Sequence, residues 1–481
     1  MAKLGRSVST RELGKFAKQS GLRFLLGGGL AQQQRIRFFK FATAAVPIHL
    51  SHHGAGARDP DHRTLDTFQA PTELRSHPSS LVTSHTNRFE RQMAQLEIIV
   101  LRPPLDNLTM PPNDSDIRWM TLALTWAEKA MYITTPNPRV GCVIVSAKGD
   151  LLGEGHTQPA GQAHAEIMAL QDAKQKGYDV AGATVYVTLE PCSHQGRTGP
   201  CCEALIQANV ARVVVAVQDP NPEVSGNGLA RLRQAGIQVD LGVLEDKARS
   251  MNSGFFKRMT KGVPWMRLKL AASLDGQTAL TNGVSQWITS EAARRDGHTW
   301  RARACAVLTG IGTVLEDNPQ LNVRDIDTPR QPTLVIVDSK LETPLNAQLW
   351  QTQREVWIYC AIEDANRRAA LEAKGARIIH MPNPQGKVDL RAMVHDLGQR
   401  AINEVHIEAG YKLNGSLLAA GVVDELLVYL APLLIGQGLG MANLGPFQTL
   451  SQAFNLVIQN VTPVGDDVRI IAHTQSPKPP H

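Results

Sequence analysis

The chain has 481 residues, 43% of them hydrophobic and 20% charged, the balance of a globular protein with room for roughly two to four domains. Its net charge of +6 is local: residues 1–110 hold 15 Lys+Arg against 8 Asp+Glu, the other 371 hold 35 against 36, and this excludes a general polyanion-binding body. No run approaches the ~18 apolar residues of a membrane helix, and the six cysteines are too few and too clustered for a disulfide scaffold, which points to a reducing compartment, the cytoplasm, and to metal or catalytic work for some of them.

Residues 1–112 show no sustained period of 2 or 3.6. They are expected to be disordered or a miscalled start ahead of Met110; an Arg-rich targeting peptide is the alternative, although the biased stretch is long for one. Order is expected from Ser115. "SDIRWMTLALTWAEKAM" offers Ser115 and Asp116 as N-caps and an apolar stripe through Ile117, Met120, Leu124 and Ala127. "VGCVIVS", "ATVYVTL" and "ARVVVAVQD" read as strands, with helices over 164–176 and 200–209 between them. That alternation predicts an α/β layered domain on a largely parallel sheet over 113–260. A second alternating set, "WMRLKLAASLDG", "ACAVLTG", "PTLVIVDS", "EVWIYC", "EVHIEAG" and "ELLVYLAPLLIG", predicts another α/β domain over 261–481.

The first set carries a histidine and a carboxylate two residues apart in "GQAHAEIMAL", and three cysteines in "LEPCSHQGRTGPCC". A catalytic zinc takes three protein ligands and leaves one position for water, whose pKa it brings towards neutrality. His164, Cys192 and Cys201 or Cys202 can supply those ligands, and Glu166 a carboxylate to move protons. The cysteine pair opens an expected helix, whose N-terminus favours thiolate. Residues i and i+2 point apart in a regular helix, so His164 and Glu166 cooperate only at its first turn. A structural zinc would close with a fourth ligand, for which Cys202 is the candidate.

In the second set, "AVLTGIGTVLEDNP" and "VHIEAGYKLNGSLLAAG" place glycines between strand and helix, where backbone N–H groups can meet a phosphate or where glycine simply caps and packs. Neither has the G-x-G-x-x-G spacing, so a Rossmann dinucleotide domain is not supported.

His-x-Glu followed by Pro-Cys and a further Cys resembles the zinc nucleoside and nucleobase deaminases. There the second cysteine follows by three residues; here "PCSHQGRTGPC" places it nine after. That wider loop, with "TPNPRVGCVIV" upstream and "KLAASLDGQTA", "SQWITS", "GIGTVLEDNPQLNVR" and "IEAGYKLNG" downstream, is similar over 116–475 to the bifunctional deaminase/reductase of riboflavin biosynthesis. The resemblance implies a cytidine-deaminase-like three-layer domain followed by a dihydrofolate-reductase-like α/β domain. It implies Zn2+ on His164, Cys192 and Cys201, Glu166 as the catalytic proton carrier, and NADPH for the second step. It further implies cofactor contacts at Ala271, Trp287, Thr313, Asp317, Ser339 and a 410–416 loop (Gly410, Tyr411, Lys412, Leu413, Asn414, Gly415, Ser416). Substrate contacts are implied at Ser285, Arg301, Leu321, Arg324 and Glu408, the two arginines clamping a phosphate. Asn137 is expected to help hold the pyrimidine; His194, Arg197 and Thr198 are expected either to contact the substrate or its phosphate or to serve only as loop. Lys269 and Asp275 are expected to flank hydride delivery, with Lys269 either assisting protonation or making a surface or cofactor-phosphate contact. The implied reactions are hydrolytic deamination of a phosphorylated diaminopyrimidinone and NADPH reduction of its ribosyl side chain to ribityl. Partners are then small phosphorylated pyrimidines and further copies in a homo-oligomer, with no nucleic acid and no membrane. The rivals are a tRNA base deaminase, a binding protein with structural zinc, and a reductase half reduced to an NADPH-binding scaffold.

Overall fold

The computed structural model describes residues 113–193, 199–222 and 224–475; the expectations for 1–112 and for His194, Arg197 and Thr198 lie outside them. Helix α1 (Asp114–Lys129) starts one residue before the expected caps. Asn113 is its N-cap, with Oδ1 accepting from the Asp116 amide at 2.7 Å. Asp116 is freed for a buried ion pair with Arg212 at 2.8 Å and accepts from the Tyr186 hydroxyl at 2.8 Å. Trp119, Met120, Ala123, Leu124 and Ala127 bury one face, while Ile117 at its margin is exposed.

There follow β1 (Gly141–Val145), β2 (Leu151–His156), α2 (Ala165–Gln175), β3 (Thr184–Val187), α3 (Cys201–Gln207), β4 (Arg212–Val215), α4 (Asn227–Gln234) and β5 (Gln238–Leu241). The sheet runs β2-β1-β3-β4-β5. It is mixed, not largely parallel: β1 pairs antiparallel with both β2 and β3, and only β3-β4 and β4-β5 are parallel. The five residues of β1 are all buried and therefore do not alternate. Strand β2, "LLGEGH", was not visible as a strand because glycines occupy alternate positions. A Cβ at Gly155 would sit 2.6 Å from the Ala169 amide nitrogen, and one at Gly153 2.2 Å from the Ala169 carbonyl oxygen, so these glycines let α2 lie directly on the strand.

Helices α5 (Glu245–Met251) and α6 (Ser253–Lys261) lead on, the latter closed by Gly262 in the left-handed region. The second set comprises β6 (Trp265–Ser273), β7 (Gln277–Leu280), α7 (Glu291–Arg303), β8 (Ala306–Gly310), α8 (Ile311–Asp317), β9 (Thr333–Val337), β10 (Val356–Cys360), α9 (Ala365–Glu372), β11 (Ala376–His380), α10 (Leu390–Gln399), β12 (Glu404–Ile407), α11 (Tyr411–Ala419), β13 (Glu425–Ala431), β14 (Gly438–Gly440), β15 (Leu456–Val464) and β16 (Asp467–Thr474). A nine-stranded sheet has the order β11-β10-β9-β8-β12-β6-β13-β16-β15, parallel up to β13 and then closed by an antiparallel β16-β15 hairpin. From β8 the chain continues to β9 on one side and from β12 to β13 on the other. The gap between β8 and β12 is thus a topological switch point, where α/β sheets receive ligands.

Candidate functional sites: a three-ligand metal centre and a cleft over the second sheet

His164 is not inside α2 but at its N-cap, with extended backbone (φ −80°, ψ 168°), and Glu166 lies in the first helical turn. This removes the i, i+2 difficulty, because the imidazole leaves from outside the helix. Cys192 follows β3 and Cys201 opens α3. Their sulfurs lie 3.6 Å and 3.4 Å from His164 Nδ1, and all three donor atoms fall within 4.8 Å of one another. The Cys201 amide donates to Cys192 Sγ at 3.3 Å, the helix N-terminus holding the thiolate. One imidazole nitrogen and two sulfurs form a set that suits zinc, and three rather than four ligands is the count of an open site. Cys202 packs into the core beneath the sheet with its thiol pushed up to about 11, chiefly by burial, and is not part of the group.

Charge in the cluster is polarised. A hydrogen bond from Cys201 pulls Cys192 down to about 4, with His164 helping, while the same bond and burial push Cys201 up, so the two sulfurs share one proton that a cation would displace. Glu166 is 3% exposed, and burial first, then the Cys192 charge, raise its carboxyl to about 7, against the opposing influence of His164. That value suits a group that both takes and gives protons near neutrality. Asn137 is half-buried, its backbone N–H donating to Thr134 O at 2.8 Å.

In the second sheet the structure gathers only part of the expected set. Gly410 caps α11, and residues 411–416 form the first turns of that helix rather than a loop. Only its opening amides are therefore left for a phosphate. Leu413 packs against Gly310, Asn414 donates to Met441 O at 2.9 Å, and a Cβ at Gly415 would fall 2.1 Å from Asn443 O. These three serve packing. Gly410 faces Thr313, whose Oγ1 would be 3.7 Å from a Cβ at 410, which leaves a cradle beside the switch point. Asp317 is one turn beyond Thr313 on exposed α8, Ser339 follows β9 and accepts from the Val388 amide at 3.2 Å, and Ala271 is half-buried on β6.

Arg301 departs from the expected phosphate clamp. Its Nε and Nη2 both bind the Glu408 carboxylate, the latter at 2.9 Å, and Nη1 donates to Asn322 O at 2.9 Å, which commits three of its five N–H donors. Arg324 is exposed and spends only Nη1 of its guanidinium, on Asn322 Oδ1 at 2.9 Å. Leu321 is buried with φ 49°, turning the chain between them. Lys269 is half-buried near this pair; burial lowers its pKa while Glu408 opposes the shift. Asp275 accepts from Ser273 Oγ and from the Ile435 and Gly436 amides at 3.2 and 2.7 Å, and so ties two loops together. Ser285 and Trp287 lie apart on the 281–290 segment, Trp287 68% exposed under the Arg294 guanidinium. One residue missed from sequence is His406, fully buried on β12 with Nε2 3.4 Å from Glu408 Oε1; mid-strand between apolar residues, it carried no signal.

Residues 113–217 match the family model for the cytidine and deoxycytidylate deaminase zinc-binding region, and residues 264–470 that for the RibD C-terminal domain. The Riboflavin biosynthesis protein RibD of Escherichia coli (strain K12) is 44% identical over 366 residues, 73% of this chain and 98% of the relative. That of Aquifex aeolicus (strain VF5) is 39% identical over 358 residues, 74% of this chain and 98% of the relative. Among solved structures, Acinetobacter baumannii RibD (form 1) superposes with a TM-score of 0.69 at 41% identity, covering 75% of this chain and 99% of that one. A diaminohydroxyphosphoribosylaminopyrimidine deaminase/5-amino-6-(5-phosphoribosylamino)uracil reductase from Thermotoga maritima gives 0.66 at 32% identity, with 75% and 99% coverage.

Proposed function

The chain belongs to the RibD family of riboflavin biosynthesis proteins, in which a deaminase is joined to a reductase, and on that premise we propose how its residues divide the work. Residues 113–260 deaminate the phosphorylated diaminopyrimidinone, and residues 261–481 reduce the ribosyl side chain of the resulting aminouracil. The convergence of His164, Cys192 and Cys201 around one point, with Glu166 buried beside them, carries the first half.

Those three side chains would hold the zinc, His164 through Nδ1. Bound there, the ion supplies Lewis acidity that makes water nucleophilic at neutral pH. Glu166 takes the proton of the attacking water, passes it to the ring nitrogen and serves again as ammonia leaves. Asn137 orients the pyrimidine. For the second half, NADPH brings the hydride, and its phosphates suit the cradle of Gly410, Thr313 and the opening amides of α11. Adding a hydride to the opened sugar carbon calls for one proton at the neighbouring heteroatom, and in this reading Lys269 donates it. Glu408 holds Arg301 against the substrate, while Arg324 offers its free donors to the phosphate.

Metal-ligating thiols must stay reduced, which suits the cytoplasm; among the described residues no helix is long and apolar enough to cross a membrane. Strand β15 pairs only with β16 and exposes Leu456, Val457, Ile458 and Val461 along the sheet edge, which supports a homo-oligomer joined there. The deciding experiment is zinc analysis with ammonia release for Glu166→Gln. The variant is expected to keep its zinc and lose about a thousandfold in deamination, with NADPH oxidation on the deaminated intermediate retained; a variant that still releases ammonia at the parental rate overturns the assignment.

A further inference from the structure

We propose that the reductase half builds part of the deaminase site: Asn403 and Glu404, at the start of β12, are positioning residues that hold the 134–139 segment and through it set Asn137 against the pyrimidine. The inference rests on the reading of Asn137 as a substrate contact.

The segment joins α1 to β1, and β1 begins at the metal end of its sheet. Gly141 lies beside Thr188, donating to its Oγ1 at 3.1 Å and accepting from its amide at 3.1 Å, four residues ahead of Cys192. The next residue, Cys142, is buried within the influence of the Glu166 charge. Residues just before Gly141 therefore border the site. Asn137 sits in the middle of them and makes no side-chain hydrogen bond within the described residues.

What fixes the segment comes from both halves. Before Asn137, Pro136 O accepts from Asn403 Nδ2 at 2.8 Å, and Thr135 Oγ1 lies 2.6 Å from Cys305 Sγ. After it, Arg139 donates Nη1 to Glu404 Oε1 at 2.6 Å and Nη2 to Arg303 O at 3.0 Å. Its own half contributes Asn252, which grips the Arg139 amide and carbonyl at 2.8 and 2.9 Å, and the Met251 and Met131 carbonyl oxygens, which accept from Arg139 Nη1 at 2.9 Å and Nε at 3.3 Å. Arg139 is 7% exposed and Glu404 1%, and Glu404 is itself fixed by Arg303 at 2.8 Å and Arg267 at 3.3 Å. Positions 135, 136 and 139 are thus pinned to the reductase sheet with 137 held between them. A buried polar clamp of this kind, satisfied on both sides, specifies one geometry more than it adds stability.

The test uses the full-length zinc protein. Asn403→Asp keeps the acceptor for Arg258 (2.5 Å in the parent) but removes the donor to Pro136 O. Loss of that bond is expected to raise the KM for ammonia release about tenfold with kcat within about twofold, while zinc content and NADPH oxidation stay at parental levels. Asn137→Ala should show its own loss, and adding Asn403→Asp to it should cost nothing further, because the two act through one contact. A parental KM in Asn403→Asp, or a loss that adds in full to that of Asn137→Ala, overturns the positioning role. Parental kinetics in Asn137→Ala instead overturn the reading of Asn137 and the proposal with it. Should Asn403→Asp fail to fold, Thr135→Val, which removes the contact to Cys305, must give the same non-additive rise in KM, and additivity there refutes the clamp.

Discussion

At Glu166 two influences oppose one another: burial and the Cys192 charge hold the carboxyl protonated, and His164 favours the carboxylate. The cysteine pair shows the same sensitivity to position. Cys201 and Cys202 are neighbours in sequence, yet only the first turns its sulfur to His164, while the second goes into the core with Leu205 and Val187. Spacing could not choose between them, since both open the same helix; the choice came from resemblance and agrees with the direction each side chain takes on α3. Cys202→Ser should therefore keep a full zinc complement and parental ammonia release while losing about 1–3 kcal/mol of stability to a buried hydroxyl, as read by metal analysis and chemical denaturation. Loss of zinc would identify a four-ligand structural site instead. Arg301 shows what residue type leaves out: it suggested an anion clamp, and the structure adds Glu408, which takes its Nε and one Nη2 donor.

Among the elements, those with a clean period or an unbroken β-branched run were legible: α1, β1, β3, β4 and, in the second sheet, β6, β8, β9, β10, β12 and β13, but not β11. Those that were not legible owe their conformation to a neighbour. Strand β2 has glycines where a strand would show side chains, because α2 lies on it, and β15, at the sheet edge, is exposed from Leu456 to Val461 and shows no alternation in burial there. The antiparallel β1-β2 pairing, and with it the mixed sheet, was hidden for the same reason. The contact between β2 and α2 also sets where His164 emerges. Gly155→Ala would drive a methyl to within 2.6 Å of the Ala169 amide and Met168 Cβ. A destabilisation of about 1–3 kcal/mol is expected, with weaker zinc retention against a chelator because the N-cap of α2 is displaced. Unchanged melting and zinc retention would show that the helix has slack.

Over the whole molecule, buried charge joins the two halves. Glu404 meets Arg139, Arg303 and Arg267, and Arg267 also binds Glu425. Burial alone would raise Glu425, but Arg267, His473 and Arg303 together outweigh it and bring the carboxyl down to about 2 from 4.5, and Glu404 is held well below its usual range by its three arginines despite burial. A depressed carboxyl adds stability above the unfolded value and loses it as pH falls through the folded one, so the contribution is full above pH 4.5 and fades towards pH 2. For Glu425 the shift corresponds to about 3 kcal/mol, to be read as a falling denaturation midpoint between pH 5 and pH 3 that is blunted in Glu425→Gln. A midpoint that does not move with pH would refute this. The exposed β15 edge predicts that Ile458→Glu lowers the association state or weakens it at least tenfold, by sedimentation, with both activities measurable in the dissociated form; unchanged association would place the contact elsewhere. The sequence by itself determined which residue types do the chemistry, the order of most strands and helices, and the family, because ligand identity, hydrophobic period and motif order are written along the chain. The tertiary structure decided which cysteine turns to the metal, that β2 is a strand, that Arg301 is already paired, and that the reductase sheet grips the segment bearing Asn137. Each of these depends on contacts between residues far apart in sequence, whose partners local pattern does not encode.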